Sequence, residues 1–154
     1  METAMPQSLS QIIVQAVFST KDRTSNLEPH IRPELFAYLT TVLRSGGHTP
    51  IFIGGHDDHV HLLLGLSRTE TIAKMIENTK VASSKMLKTT GDVRRDFSWQ
   101  RGYGVFGISY PAVDAAIAYI ANQDEHHRKE TYQDEFRRVM RENGVEIDER
   151  YCWD

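Results

Sequence analysis

Short apolar runs separated by polar, turn-forming segments predict four β-strands. Residues 12–18 form one such run, which is rich in β-branched side chains and too short to favour a helix. Residues 51–53 and 60–64 flank the turn-rich link 54–58, a pattern typical of an antiparallel hairpin. Residues 103–109 give the fourth predicted strand.

Helical spacing of apolar residues predicts four helices. The first follows Pro33 and ends before the glycines at 46–47. Its apolar residues include Leu35, Leu39 and Val42, at i, i+4 and i+7. A second helix is predicted from Thr69 until Gly91, a third begins at Pro111 and continues through residue 126, and a fourth covers residues 131–142.

The order strand, helix, strand, strand, helix, strand, helix predicts an α+β fold. The arrangement is a ferredoxin-like (RRM-like) antiparallel sheet backed by helices. With 154 residues and no internal repeat or linker-like stretch, the chain is predicted to be a single domain over residues 1–154. A C-terminal helix and an acidic tail begin at about residue 131. A fold does not by itself give a function, so the site is argued separately.

Charge is distributed unevenly along the chain. The net charge of −3 argues against bulk attraction to nucleic acid. Residues 71–111 nevertheless carry seven Lys and Arg against three Asp and Glu, whereas residues 124–154 carry six against ten. A local basic surface suits a protein that grips a short length of phosphate backbone, although two ordinary solvated helices would give the same pattern.

Cysteine content and hydropathy indicate a compartment. The chain has one cysteine, Cys152, which excludes an internal disulfide framework and fits a reducing environment. No apolar run in the sequence approaches the roughly 20 residues that span a bilayer. Residues 1–7 lack a basic leader. The sequence therefore predicts a cytoplasmic protein with no membrane-spanning role.

Two histidines at i and i+2 are the first candidates for chemistry. His59 and His61 lie in a predicted strand, where alternate side chains point to the same face, so the two imidazoles converge as a pair of metal ligands. Packed and hydrogen-bonded histidines would give the same spacing. Asp58 is the best placed carboxylate to orient an imidazole, while His56 and Asp57 fall in a predicted turn.

The third predicted helix supplies a second group of polar residues. Tyr119 and Gln123 are spaced i, i+4 on its polar side, with Asn122 and His126 beside them. Such a tyrosine could present its phenol to a substrate, and the amide oxygen could face a cation. An amphipathic surface tyrosine is the alternative interpretation.

The two groups combine into one mechanism. Two imidazoles and an amide oxygen would hold a divalent cation that polarises a phosphodiester, while a phenolate attacks phosphorus. Mixed nitrogen and oxygen donors suit Mg²⁺ or Mn²⁺, although imidazole alone favours later transition metals.

Five motifs in order along the chain resemble a known family. They are VFSTKDR at 17–23, GGHDDHVHLLL at 54–64, FSWQRGYGVFGIS at 97–109, YIANQDEHHR at 119–128 and DERYCWD at 148–154. The set resembles the single-tyrosine HUH transposases of the insertion-sequence 200/605 family, including the REP-associated tyrosine transposases. The HUH motif itself, His-hydrophobic-His, corresponds to residues 59–61.

The resemblance implies an activity and an assembly. A homodimer with a ferredoxin-like fold would cut single-stranded DNA near imperfect hairpins, leaving a 5′-phosphotyrosine intermediate and a free 3′-hydroxyl. It implies that Tyr119 is the nucleophile, that His59 and His61 are metal ligands and that Gln123 is a third. The resemblance also allows Tyr119 to act in trans, beside the partner subunit's histidines. His56 departs from the small or apolar residue expected there.

A group of cationic and aromatic residues is proposed to bind the DNA. The cations would contact phosphates and the aromatic rings would stack on bases. The candidates are Lys74, Lys85, Lys88, Arg94, Arg95, Arg101, Trp99 and Tyr103.

Two other functions remain open from the sequence. One is a small hydrolase that holds Zn²⁺ with His56, Asp57, His59 and His61 and uses activated water, which leaves Tyr119 without a role. The other is a domesticated, non-catalytic DNA-binding protein that keeps the fold.

Overall fold

Four antiparallel strands form one sheet in the computed structural model, which describes residues 7–90 and 95–154. The strands are β1 (Ile13–Ser19), β2 (Thr49–Gly55), β3 (His59–Gly65) and β4 (Gly104–Ile108). The α-helices are α1 (Arg32–Ser45), α2 (Ile72–Thr89), α3 (Val113–Ala121), α4 (Gln123–His126) and α5 (Tyr132–Glu142).

The strand order is β2-β3-β1-β4, which confirms the predicted ferredoxin-like α+β topology. Strands β1 and β3 occupy the centre, and every residue of β1 is buried. Both faces of these two strands are covered by helices. Their sequences are therefore apolar almost throughout instead of alternating with polar residues.

The two faces of the sheet carry different contents. Val60, Leu62 and Leu64 of β3 join the largest hydrophobic cluster, beneath α1 and α2, as the sequence predicted. Leu63 points to the other face and packs against Ile120 of α3. Because side chains alternate along a strand, His59 and His61 share that second face with Leu63. The histidine pair therefore lies on the side covered by α3 and α5.

The prediction of one continuous helix through residues 111–126 is wrong. It is divided into a 3₁₀ turn at Tyr110–Ala112, then α3, then α4, with a break at Asn122, where φ is −98° and ψ is 26°. Tyr119 and Gln123 are therefore not neighbours on one continuous helix. Gln123 is buried instead of lying on a polar surface, and its side chain meets that of Tyr119 at Oε2 of Glu135.

The other helices lie close to their predicted positions. Helix α2 begins at Ile72, three residues later than predicted, because the Thr71 hydroxyl caps it by accepting a hydrogen bond from the amide of Lys74. Gly91, the predicted end of this helix, lies outside the described residues. Within residues 7–90 and 95–154, no helix is both long and apolar enough to cross a membrane.

The C-terminal segment packs against α5. The ring of Trp153 lies 5.5 Å from that of Phe136, and the guanidinium groups of Arg23 and Arg137 lie 5.9 and 5.1 Å from its centroid. The carbonyl of Asp154 accepts a hydrogen bond from the amide of Gly102 at 2.8 Å. These contacts attach the C-terminal segment both to α5 and to the segment that precedes β4.

Gly54 allows α3 to lie close to β2. A Cβ atom at this position would lie 2.6 Å from Cγ2 of Ile120 and 3.1 Å from its carbonyl oxygen. We expect Gly54→Ala to lower the free energy of unfolding by about 1–3 kcal/mol, because the added methyl group must displace the helix. Urea unfolding followed by circular dichroism measures this difference.

The matched control for this prediction is Gly107→Ala. It changes a glycine of the same sheet, on β4, where a Cβ atom would meet nothing within 4 Å. We expect little loss of stability in the control. A Gly54 variant as stable as the control would contradict the close packing of α3 on the sheet.

Candidate active site

The imidazoles of His59 and His61 are both buried on the second face of the sheet. Nδ1 of His59 lies 2.8 Å from the carboxylate of Asp58, and Nδ1 of His61 lies 3.0 Å from Nε2 of Gln15. Each ring is thus held by a contact through Nδ1. This leaves the two Nε2 atoms facing the space between the sheet and α5.

Gln123 contacts both imidazoles. Its Oε1 atom lies 2.8 Å from Nε2 of His59 and 3.1 Å from Nε2 of His61. The break before α4 brings this side chain under the sheet, where it is 2% exposed. The structure therefore brings together the three residues predicted as metal ligands.

Glu135 of α5 is a fourth member of the site, and it was missed by the sequence analysis. It is 1% exposed, and its Oε1 atom lies 3.2 Å from Nε2 of His59 and 3.3 Å from Nε2 of His61. Possible ligand atoms of these three residues all lie within 4.8 Å of one another. A signal was present in the sequence, because Glu135 interrupts the apolar stripe of α5 formed by Tyr132, Phe136 and Val139.

The phenol of Tyr119 reaches the same carboxylate. Its hydroxyl donates to Oε2 of Glu135 at 2.5 Å and accepts a hydrogen bond from Arg138 at 2.8 Å. Arg138 in turn donates to Glu130 at 2.6 Å. The ring of Tyr119 lies 6.0 Å from that of His61. The phenol thus lies beside the histidines of its own chain, and it is only half-buried.

Charge is balanced within this buried group. Burial opposes a charge on His59, but hydrogen bonds to Asp58 and Glu135 outweigh it and raise the pKa of His59 to about 9. Burial lowers the pKa of His61. Burial also disfavours a charged Glu135, yet close contacts with the imidazoles of His127, His59 and His61 hold the pKa of this carboxyl well below its usual range. These shifts favour a charged carboxylate at Glu135 beside a charged imidazole at His59.

Burial and the negative charge of Glu135 raise the pKa of Tyr119 above its ordinary value, against the smaller opposing effect of Arg138. The phenol is therefore protonated at neutral pH in this arrangement. A positive charge near Glu135 would favour ionisation of the Tyr119 phenol, because it would offset the negative charge of the carboxylate.

The remaining residues of the turn before β3 are engaged elsewhere. His56 contacts Asp124 at 2.7 Å through Nδ1, and Asp57 pairs with Arg32. His56 and Asp57 line a cavity together with His127 and Tyr132. The four-residue zinc site of the rival hydrolase is not supported by these contacts, because Asp57 binds a guanidinium.

The DNA-binding candidates are spread over two regions. Three of the candidates, Lys74, Lys85 and Lys88, are exposed on α2. This helix covers the sheet face opposite to the histidines. Arg95, Arg101 and Tyr103 are also exposed, and Arg94 lies outside the described residues.

Trp99 was predicted to stack on bases, and the structure contradicts this. The side chain is buried, its ring meets those of Phe18 and Phe97 edge-to-face at 5.0 Å, and its indole nitrogen donates to Ser83. Because these contacts satisfy the indole within the hydrophobic core, Trp99 is a packing residue. Local sequence could not separate these roles, since an aromatic residue beside basic ones fits both.

Comparison with known proteins identifies one family and several solved structures of related fold. The family model described as "Transposase IS200 like" matches residues 8–123, which include His59, His61, Tyr119 and Gln123 but not α5. No curated protein sequence matches the chain. The family match therefore includes β3, with its two histidines, and α3, with Tyr119. Glu135 and Arg138 lie beyond the matched segment.

Two of these related structures have low sequence identity to this chain. A crystal structure of a protein from Deinococcus radiodurans R1, provisionally assigned as a transposase, aligns with a TM-score of 0.58 at 22% identity, covering 79% of this chain and 98% of that one. A REP-associated tyrosine transposase bound to a REP hairpin aligns with a TM-score of 0.59 at 13% identity, covering 82% and 74%. At these identities the likeness shows the fold.

Replacement of Glu135 tests whether it holds the site together. We expect Glu135→Ala to lower the free energy of unfolding of the metal-free protein by about 3–5 kcal/mol, because it removes one partner of a buried charged group and the hydrogen-bond partner of other buried side chains. The measurement is urea unfolding at pH 7 in the presence of a chelator.

The control is Glu125→Gln, which changes a half-exposed carboxylate that contacts Arg128 at 3.4 Å. Surface pairs of this kind contribute only about 0–1 kcal/mol. If Glu135→Ala were as stable as the control, the buried carboxylate would not be a stabilising centre.

Proposed function

The chain belongs to the family of IS200-like transposases, and on this premise we propose that it is a metal-dependent nuclease and strand transferase for single-stranded DNA. It would cut at hairpin-marked ends through a 5′-phosphotyrosine link to Tyr119. The observation that carries the proposal is the position of the phenol, which is hydrogen-bonded to the carboxylate that also contacts both imidazoles of the HUH motif.

The donor set fits a divalent cation. His59 and His61 offer imidazole nitrogens, Glu135 a carboxylate oxygen and Gln123 an amide oxygen, all buried. Mixed nitrogen and oxygen donors suit Mn²⁺ or Mg²⁺ when phosphate and water complete the shell. A cation bound there would polarise the scissile phosphodiester and offset the charge that develops on it.

The protein's own groups orient the nucleophile. The hydroxyl of Tyr119 is fixed from two sides, as donor to Glu135 and as acceptor from Arg138. In the cleavage step the bond between the phenol oxygen and phosphorus forms, and the bond from phosphorus to the 3′-oxygen breaks. The proton lost by the phenol balances the proton gained by the leaving 3′-oxygen, and the reverse reaction joins strands.

Arg138 is proposed as the group that stabilises the charged phenol oxygen. Its positively charged guanidinium donates a hydrogen bond to the hydroxyl of Tyr119. Glu130 and Glu142 hold this guanidinium at 2.6 and 3.5 Å. A fixed donor aimed at a developing negative charge lowers the barrier without reorganisation.

The DNA and the assembly are proposed on separate grounds. A related protein of the same fold is bound to a REP hairpin, which supports a hairpin as the substrate of this chain. Exposed Arg95, Arg101 and Tyr103 are available to contact such a hairpin, as are the exposed lysines of α2, Lys74, Lys85 and Lys88. We also propose a homodimer that works in the cytoplasm. Because Tyr119 lies beside its own chain's histidines, each protomer would hold a complete site.

Removal of the phenol hydroxyl tests the covalent mechanism. We expect Tyr119→Phe to reduce cleavage of a hairpin-bearing single strand to the level seen with chelator, and to form no covalent adduct, because no attacking oxygen remains. Denaturing gels detect the adduct, and calorimetry checks that Mn²⁺ still binds.

Tyr110→Phe is the control, since this exposed tyrosine lies in the turn just before α3. It should cleave like the wild type. Full cleavage by Tyr119→Phe would instead favour activated water as the nucleophile.

A second substitution tests the role of Arg138. We expect Arg138→Gln to lower kcat on the order of 10²-fold with little change in KM, because the guanidinium acts on the phenol oxygen as charge develops. Single-turnover cleavage measures this step.

Arg141→Gln on the same helix, an exposed position near its end, serves as the control. Arg138→Lys should recover part of the rate, since it restores a positive charge. Equal rates for Arg138→Gln and the control would refute this role.

A further inference from the structure

A third imidazole faces the same two oxygens as His59 and His61. His127 follows α4, and its side chain is 4% exposed. Its Nε2 atom lies 3.1 Å from Oε1 of Gln123 and 3.2 Å from Oε1 of Glu135. Three imidazole Nε2 atoms, two from β3 and one from the residue that follows α4, therefore converge on one carboxylate oxygen and one amide oxygen.

The hydrogen-bond pattern of His127 favours a cation there. Its Nδ1 atom lies 2.9 Å from the backbone carbonyl of Glu130, and a carbonyl can only accept, so Nδ1 carries the hydrogen. When the ring is neutral, Nε2 therefore carries a lone pair, which faces Oε1 of Gln123 and Oε1 of Glu135. Both oxygens are acceptors as well, so the lone pairs repel one another. A bound cation removes this repulsion, and an imidazole anchored through Nδ1 to a carbonyl is the usual arrangement of a metal ligand.

His59 has the same unfavourable contact between acceptor atoms. Asp58 occupies its Nδ1 atom, so Nε2 of the neutral ring also faces Oε1 of Gln123 and Oε1 of Glu135. Two rings with opposed lone pairs and one carboxylate form a place where a single divalent charge satisfies all the groups together.

We propose that His127 is a third nitrogen ligand of the cation held by His59 and His61, with Glu135 as an oxygen ligand. The inference rests on the proposed function and deepens it. His127 and Glu135 both lie beyond residues 8–123, the segment that the family model matches. Three imidazoles bind Mn²⁺, Co²⁺ or Zn²⁺ better than Mg²⁺, because Mg²⁺ prefers oxygen ligands.

The first test uses the wild-type chain, so it does not depend on a variant that folds. Pulsed EPR of the Mn²⁺-loaded protein counts the nitrogens bound to the metal. We expect three coupled nitrogens, one from each converging imidazole. Two would overturn the inference and leave the proposed function standing. Mn²⁺ that shows no coupled nitrogen would refute the metal site of the proposed function as well.

The second test compares metal preference. We expect His127→Gln to weaken Mn²⁺ binding by at least about 10-fold while changing Mg²⁺ binding less, as measured by calorimetry. His30→Gln removes an exposed imidazole on the chain before α1 and should change neither affinity. A purely structural role for His127 would lower both affinities equally, together with the thermal midpoint, and an unchanged Mn²⁺ affinity would likewise refute the proposal.

Discussion

The hydrogen bonds that converge on the carboxylate of Glu135 connect parts of the chain that are far apart in sequence. They join β3, α3, α4 and α5 through His59, His61, Gln123 and Tyr119. A buried carboxylate is costly unless it is paired and hydrogen-bonded. Here each oxygen has several partners, so the group that stabilises the second face of the sheet is also the group that can hold a cation.

The rest of the fold serves to hold these partners at short range. Strand β3 is central in the sheet, which keeps the two imidazoles rigid. The absence of a side chain at Gly54 lets α3 approach β2, and Trp153 packs against α5 from outside. His56 and Asp57 line a cavity together with His127 and Tyr132, while the phenol of Tyr119 remains half-buried. Tyr119 is therefore not sealed inside the hydrophobic core.

Local features of the site could be predicted from the sequence, and long-range ones could not. The alternation of a strand is enough to pair His59 with His61, and the fold follows from the order of the elements. Glu135 is separated from His61 by 74 residues, and only the packing of α5 brings them together. The burial of Trp99 is likewise a tertiary property. The break before α4 was hidden because the sequence of residues 119–126 contains no glycine or proline.

Diffraction from crystals grown with Mn²⁺ tests the central claim most directly, because anomalous scattering locates manganese independently of the protein. The account predicts one strong peak between Nε2 of His59, Nε2 of His61 and Oε1 of Glu135, with the phenol of Tyr119 from the same chain facing it. A peak confined to surface carboxylates, with the imidazoles still hydrogen-bonded to Glu135 in a protein that cleaves DNA with Mn²⁺, would contradict it.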